Sequence, residues 1–275
     1  MLKKFFCFLL LLLNPLLAQS ELVYFPDKLN VKPFFANQLE PKMGFLFDIN
    51  KTELRLDVGN SVDILHKYLS GNETLSFGAD FFTYSLLRRK KDFKFPVAAI
   101  DYLFGLNAAY VNNIDKLSYG LRIRISHISA HLVDGSFSII KNGWEENLYP
   151  FVYSREFFEF TPFIKKDNLR LYAALTLIYH VKPSNLGKDG YQVGGEYLFP
   201  NLLSEHIHGF IGSDLKIMHL DDYNLNFTFQ TGLQFGNENA EGISIYYEFF
   251  SGKNIHGELF NRNVSNSSIG INFDF

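Results

Sequence analysis

Apolar and polar residues alternate at every second position in long stretches of the chain. In the clearest stretch, 224–235, Leu225 and Phe227 lie on one face while Asn226 and Thr228 lie on the other. A period of two residues is typical of a β-strand and not of a helix. Strands in soluble sheets usually have about five or six residues, whereas a tilted strand needs about ten to cross the hydrocarbon of a bilayer. The alternation therefore predicts strands that cross a membrane.

The pattern predicts an all-β fold, an antiparallel transmembrane β-barrel of about 12 strands, with 10–14 as the range. Every backbone donor and acceptor must be paired in lipid, so such strands have to close into a barrel. A soluble β-sandwich would also alternate, but it does not explain the strand lengths. The expected strands cover 43–50, 53–67, 73–87, 97–111, 116–133, 149–163, 168–182, 190–199, 207–220, 223–236, 241–251 and 267–275.

The composition excludes two other classes of protein. The chain is 17% aromatic and 20% charged, with a net charge of −3. A nucleic-acid binder would show a clustered basic excess. A helical membrane protein would need several apolar runs of about 20 residues, and none follows the N-terminal segment. The apolar residues are therefore expected to face lipid, with the charges inside the barrel.

The chain divides into three parts. Residues 1–20 are expected to form a secretory signal peptide, because Lys3 and Lys4 precede a short apolar run. An uncleaved membrane anchor is the alternative. Residues 21–42 contain three prolines and are expected to be an extended periplasmic lead-in, because proline is excluded from central strands. Residues 43–275 are expected to form the barrel domain.

Charged residues lie on the strand faces opposite the apolar ones, and a barrel would place them in its lumen. Because both signs of charge occur, the side chains can pair and fill the interior, and a narrow pore is the alternative. The expected lumen charges are Arg55, Asp57, Asp101, Arg122, Arg124, Arg170, Glu196, Asp214, Lys216 and Glu248.

One predicted strand carries candidate catalytic groups. His127 and Ser129 share a strand face and stand about 7 Å apart. His127 and His131 are about 13 Å apart, too far to share a metal ion, so the sequence predicts neither a metal site nor a cofactor. If the alternation continues unbroken from Ile125, these side chains face lipid near the outer rim. A β-bulge near Ser126 would turn them inward.

A His-x-Ser pair on an outward strand face resembles the catalytic arrangement of outer-membrane phospholipases and lipid A deacylases. The resemblance implies that Ser129 is the nucleophile and His127 its general base, with Glu156 or Asp134 orienting the imidazole. The chain departs from the pattern at Ala130, where those enzymes usually have Asn. In the other interpretation these residues form a polar collar where the strand leaves the membrane, and the protein is not an enzyme.

Further segments, taken in order, resemble a bacterial family of outer-membrane proteins described only as a domain of unknown function. The resemblance extends over nearly all of the chain after residue 20, and it implies an outer-membrane barrel without an assigned activity. Among the matching segments are Tyr24-Phe25-Pro26, Lys32-Pro33-Phe34-Phe35-Ala36, Asp101-Tyr102, His131-Leu132-Val133-Asp134, Gly194-Gly195-Glu196-Tyr197 and His256-Gly257-Glu258.

The expected partners follow from an outer-membrane location. The C-terminal alternation ends at Phe275 and resembles the last strand of outer-membrane barrels, which implies that the assembly machinery recognises this residue. Outer-membrane lipids and lipopolysaccharide are the other expected partners. The basic run 88–91 could contact lipopolysaccharide or simply be solvated. A weaker hypothesis is an adhesin that acts through loops 134–148 and 252–266.

Overall fold

The structure is a computed structural model that describes residues 21–236 and 242–274, so the expected signal peptide and Phe275 lie outside the described residues. The described strands are β1 (Glu21–Tyr24), β2 (Met43–Asp48), β3 (Glu53–Tyr68), β4 (Glu73–Arg88), β5 (Val97–Ile114), β6 (Leu117–Leu132), β7 (Phe137–Ser138), β8 (Gly143–Trp144), β9 (Tyr153–Lys166), β10 (Leu169–Lys182), β11 (Asp189–Ser204), β12 (Ile207–His219), β13 (Tyr223–Gly236), β14 (Gly242–Lys253) and β15 (Asn263–Asp274).

Twelve of these strands form a closed antiparallel barrel. Each pairs with its neighbour in the chain, β6 pairs with β9, and the ring closes where β2 pairs with both β15 and β3. The short hairpin of β7 and β8 forms a separate sheet within the connection from β6 to β9. The predicted all-β barrel of about twelve strands is confirmed. Among the described residues, no helix is long and apolar enough to span a membrane.

The two faces of the barrel wall differ in polarity. On β6, Leu121 and Ile125 point outward and are 36% and 40% exposed, while Arg122 and Arg124 point inward and are 4% and 3% exposed. Successive side chains of a strand point to opposite faces of a sheet, so the alternation in sequence becomes an apolar outer coat. An apolar outer surface of this extent is typical of a protein that lipid surrounds.

The two ends of the barrel differ in the length of their connections. One end, here named the turn end, carries tight turns such as Asp115-Lys116 and Asp167-Asn168. Asp115 and Asp167 both have a φ of 52°, a left-handed conformation that Asp tolerates in turns. The opposite end, the loop end, carries longer connections such as 89–96, 133–152 and 254–262.

Residues 25–42, here named the interior segment, enter the barrel from the turn end. β1 first pairs with the last residues of β3. The backbone N–H of Asn30 then donates a 2.7 Å hydrogen bond to the carboxylate of Asp63 on β3. Further along, the ring of Phe34 stacks on Tyr172 of β10, and Phe35 packs against Phe210 of β12. Residues 30–40 of the expected periplasmic lead-in therefore lie in the lumen and not outside the barrel.

The loop 254–262 closes the barrel interior at the loop end. His256 shares a 2.7 Å hydrogen bond with Asp101, and the Gly257 amide donates another of 2.7 Å to the same carboxylate. Leu259 is only 1% exposed. Beneath this loop lies an apolar cluster that includes Phe82 and Leu103, so apolar side chains line the lumen at this end beside the expected charges.

Two small cavities lie between these layers. A cavity of about 30 Å³ lies beside Leu39 and Arg155, and one of about 10 Å³ lies beside Arg122. Spaces of this size hold one or two water molecules. Side chains and the interior segment occupy the lumen around these two cavities.

Candidate functional site

The charges expected in the lumen all point into the barrel. Arg170 and Lys216 keep partial exposure, and the others are buried. Most have a partner of opposite charge or a hydrogen bond: Arg55 with Asp57, Asp101 with His256, Arg170 with Glu196, Asp214 with Tyr172 and Gln192, and Glu248 with Gln230.

Glu40 of the interior segment lies at the centre of this network. It accepts a 3.0 Å hydrogen bond from Arg122 and a 2.6 Å hydrogen bond from Arg124, and it is 2% exposed. The Arg124 guanidinium also lies 3.1 Å from Asp80 of β4. The carboxylates balance buried guanidinium groups and anchor a chain segment, so we interpret the inner network as structural.

The outward face carries a different kind of cluster. Nδ1 of His127 on β6 lies 2.7 Å from Oε1 of Glu156, the residue directly opposite on β9. The pairing of β6 with both neighbours shows no register shift, so no bulge occurs near Ser126. His127 therefore follows the parity of Ile125 and faces outward, with 28% of its side chain exposed.

A second histidine shares the same carboxylate. His180 of β10 lies opposite Glu156, and its Nδ1 is hydrogen-bonded to Oε2 of that residue. Strict alternation along β10 would have turned His180 inward, but the register shifts between Ile178 and His180. This β-bulge re-aims the following side chains, which is a common use of bulges. Val181 points into the barrel instead and is 4% exposed.

A second row of polar side chains lies two residues further along the strands, closer to the loop end. Ser129 of β6 pairs with Ser154 of β9, which in turn pairs with Lys182 of β10. We name the two rows together the outward patch; it consists of His127, Glu156, His180, Ser129, Ser154 and Lys182. Among the described residues, no hydrogen bond joins Ser129 to His127.

The last candidate residue does not join this cluster. Asp134 lies beyond the end of β6, in a short turn that spans Asp134–Ser136. It is Glu156 that contacts His127.

The outward patch lies at the edge of the apolar coat. Ile125, Phe158 and Leu177, on the same three strands, are 40%, 38% and 44% exposed on its turn-end side. Tyr102 of β5 pairs with Ser129, and Tyr179 stands next to His180. Outward aromatic residues of this kind mark the interface between hydrocarbon and water in membrane barrels. Charged side chains cost about 0–1 kcal/mol there, compared with about 2–4 kcal/mol for Arg or Lys at the midplane.

Of the side chains in this patch, sequence analysis missed His180, Ser154 and Lys182. The outward direction of His180 and Lys182 depends on a bulge that no Gly or Pro marks, and the position of Ser154 beside them depends on the register between strands. The described residues contain no group of three or more His, Asp, Glu or Cys side chains that could hold a metal ion.

Comparison with known proteins gives a family and a fold. The family described as "Protein of unknown function (DUF1207)" matches residues 98–275. Outer membrane phospholipase A from Escherichia coli is similar in structure, with a TM-score of 0.52 and 12% identity over 90% of this chain and 94% of that chain. The Salmonella typhi outer membrane phospholipase, solved as a dimer with bound calcium, has a TM-score of 0.56 and 11% identity over the same shares. At such identities the similarity shows the fold alone. No curated protein matches the chain in sequence.

Proposed function

The chain belongs to the DUF1207 family of proteins of unknown function. We propose that it is an outer-membrane barrel that hydrolyses acyl esters of membrane lipids on its outward face. The family resemblance inferred from sequence is thereby confirmed, and the proposal adds an activity to it. One observation carries the activity: His127 is hydrogen-bonded to Glu156 on the lipid-facing wall, with Ser129 beside it on the same face.

The location rests on the fold. An apolar outer coat and a closed antiparallel barrel suit the outer membrane, where short turns face the periplasm and longer loops face outward. The loop end is then extracellular, and the outward patch lies in the outer leaflet. Acyl lipids would reach it sideways within the leaflet, without passing through the barrel.

The chemistry follows from the hydrogen bond between His127 and Glu156. With Nδ1–H donated to the carboxylate, Nε2 of His127 keeps its lone pair and can act as a base. Oγ of Ser129 attacks the ester carbonyl carbon while its proton passes to Nε2. The bond to the alcohol oxygen then breaks, and the proton moves from His127 to that oxygen as the lysolipid leaves.

A second half-reaction restores the enzyme. Water attacks the acyl-serine while His127 takes a proton from it, and the fatty acid is released as Ser129 regains its proton. Ser129 and His127 have to come together before the first step, because the described residues show no hydrogen bond between them. Catalytic hydrogen bonds often tighten only when substrate binds.

A polar collar without chemistry is the competing interpretation. A collar needs polar groups that face water, whereas here one carboxylate fixes two imidazoles at the edge of the lipid face. The filled interior supports a sealed barrel over a narrow pore.

The test is release of fatty acid from phospholipid or lipid A by the folded protein in mixed micelles. Ser129→Ala should reduce release to the background rate. The matched control is Ser213→Ala, because Ser213 is an exposed serine on the outward face of β12, away from the patch. Unchanged release by Ser129→Ala, or no release by the wild type from either lipid, would overturn the proposal.

A further inference from the structure

We infer that Ser154 and Lys182 form a phosphate-binding subsite next to Ser129, so that the substrate is an acyl lipid with a phosphate in its headgroup. This inference rests on the proposed hydrolase function and assigns it a substrate class. It concerns the second row of the outward patch, which the hydrolytic chemistry itself does not use.

The strand register sets the distances. Ser129, Ser154 and Lys182 are consecutive partners across β6, β9 and β10. Neighbouring strands are about 4.8 Å apart, so the backbones of Ser129 and Lys182 are separated by roughly 10 Å. The long side chain of Lys182 can reach back over Ser154. In a glycerophospholipid, only the short glycerol unit separates the phosphate from the acyl esters, which matches a nucleophile and a phosphate site on adjacent strands.

The chemistry of the two side chains suits a phosphate. An ammonium group is a compact positive charge with three donors, and a serine hydroxyl adds one more donor. Lys182 is exposed, and no hydrogen bond or ion pair to another described residue occupies it. The nearest carboxylate in the patch, Glu156, already binds two imidazoles. Lys182 is therefore available to an anion that arrives in the plane of the membrane.

The bulge in β10 supports the same conclusion independently. The register shift between Ile178 and His180 turns both His180 and Lys182 outward. Without it, Lys182 would point into a lumen that already holds the paired charges of Arg122 and Glu40. A single irregularity thus adds one side chain to each row of the patch, and bulges are over-represented next to active sites.

The kinetic experiment compares phosphatidylglycerol with diacylglycerol, which has the same acyl esters and no phosphate. In Lys182→Gln, the ratio of kcat/KM for phosphatidylglycerol to that for diacylglycerol should fall about tenfold, mainly through KM. Ser154→Ala should lower the ratio severalfold. Lys51→Gln is the control, because Lys51 is a partly exposed lysine in the loop-end connection from β2 to β3, several strands away around the ring. An unchanged ratio in Lys182→Gln would overturn the subsite while leaving the hydrolase in place.

A binding experiment does not depend on turnover. When the folded Ser129→Ala protein is released from mixed micelles in native mass spectrometry, it should keep phosphatidylglycerol bound in preference to diacylglycerol. Adding Lys182→Gln should remove most of this preference. If the wild type releases no fatty acid but the preference depends on Lys182, then the hydrolase proposal fails and the phosphate site stands.

Inorganic phosphate serves as the competitor in the same experiment. It should displace the retained lipid only weakly, because a lipid is also held by its acyl chains against the apolar wall. The lipid assignment would be overturned if inorganic phosphate displaced the retained lipid as well as added phosphatidylglycerol does, and if this displacement required Lys182. The site would then be one for a free anion.

Discussion

At the scale of single residues, Glu156 determines the geometry of the proposed site. Its two carboxylate oxygens each accept a hydrogen bond from an imidazole, one from β6 and one from β10. This arrangement fixes the orientation of both rings, and in the proposed hydrolysis the carboxylate would stabilise an imidazolium on His127. The proposal therefore expects Glu156 to affect the rate of hydrolysis more than the stability of the barrel.

The first prediction concerns Glu156→Gln. The amide keeps the shape of the side chain but loses the charge, and it offers an acceptor to only one of the two imidazoles. We expect kcat for fatty acid release to fall on the order of a thousandfold, with little change in KM. Heat-induced unfolding on detergent gels should be almost unchanged. Glu205→Gln, in the exposed turn between β11 and β12, should leave kcat unaltered; equal rates for wild type and Glu156→Gln would refute the role of Glu156.

The second prediction treats His180 as a positioning residue that acts through Glu156. His180→Ala should lower kcat about tenfold to a hundredfold, the usual effect of removing a partner that orients a catalytic group. His180→Asn should restore much of the rate, because its amide can donate to the same carboxylate oxygen. His206→Ala, at the turn end, is the control. Failure of His180→Asn to exceed His180→Ala would show that His180 acts in another way.

These residues show how far sequence reasoning reaches at this scale. The outward direction of His127 and Ser129 follows from unbroken alternation after Ile125, and the structure has no bulge there. His180 and Lys182 were not predicted as parts of the site, because the bulge in β10 reverses their parity without a Gly or Pro to mark it.

At the scale of elements, the interior segment behaves as a fixed part of the barrel. Its position could not be predicted from sequence, because an irregular segment with three prolines has no period that indicates what it packs against. The twelve barrel strands were predictable because each continues its alternation for several residues. Their ends were less so: the strand expected at 149–163 is Tyr153–Lys166, and the one expected at 190–199 is Asp189–Ser204.

The third prediction concerns the anchor of the interior segment. Glu40→Ala would leave the guanidinium groups of Arg122 and Arg124 without their shared carboxylate in a buried site. Removing one partner of a buried ion pair typically costs about 3–5 kcal/mol. Reversible urea unfolding of the protein in lipid vesicles should show a loss of this size. Glu205→Ala, whose side chain is 84% exposed, should change the free energy of unfolding by less than about 0.5 kcal/mol.

The fourth prediction concerns the loop 133–152, which Glu146 ties to two other connections. Glu146 lies 2.9 Å from Arg88 at the end of β4 and also binds Arg262. Partial burial raises the pKa of Glu146, but the hydrogen bond from Arg262 and the charge of Arg88 outweigh it and hold the pKa below its usual range. Glu146→Ala should therefore speed trypsin cleavage after the exposed Lys141 severalfold.

The same pKa gives a direction for pH. Because the folded protein lowers the pKa of Glu146, the tie is fully present above the ordinary pKa of about 4.3 and is lost as the pH falls below it. Hydrogen exchange in this loop, corrected for intrinsic rates, should rise in the wild type only over that acidic range. Glu145→Ala is the matched control, because Glu145 has a looser contact of 3.8 Å with Lys90. Equal cleavage of both variants would contradict the tie.

At the scale of the whole molecule, chain segments occupy the lumen at two levels, and the proposed chemistry lies on the outer wall. The interior segment fills the middle of the lumen from the turn end, and the loop 254–262 covers the loop end through Asp101 and Leu259. A water-soluble enzyme builds its site in a cleft, whereas the proposed substrates would reach this site from the membrane around the wall. A filled interior is therefore compatible with an active site on the outer wall, because the lipid would not have to pass through the barrel.

The last prediction follows from the filled interior. Folded protein in a planar bilayer should show no single-channel steps, because the interior segment crosses the lumen and is held there by Glu40 and Phe34. The heat-dependent gel shift of the same preparation controls for folding, and its release of fatty acid reports on the outward patch. Steady conductance steps from the wild type would show that the interior segment leaves the lumen and would restore the narrow-pore hypothesis. No conductance, together with fatty acid release that requires Ser129, would place the function on the outer wall of the barrel, where His127 contacts Glu156.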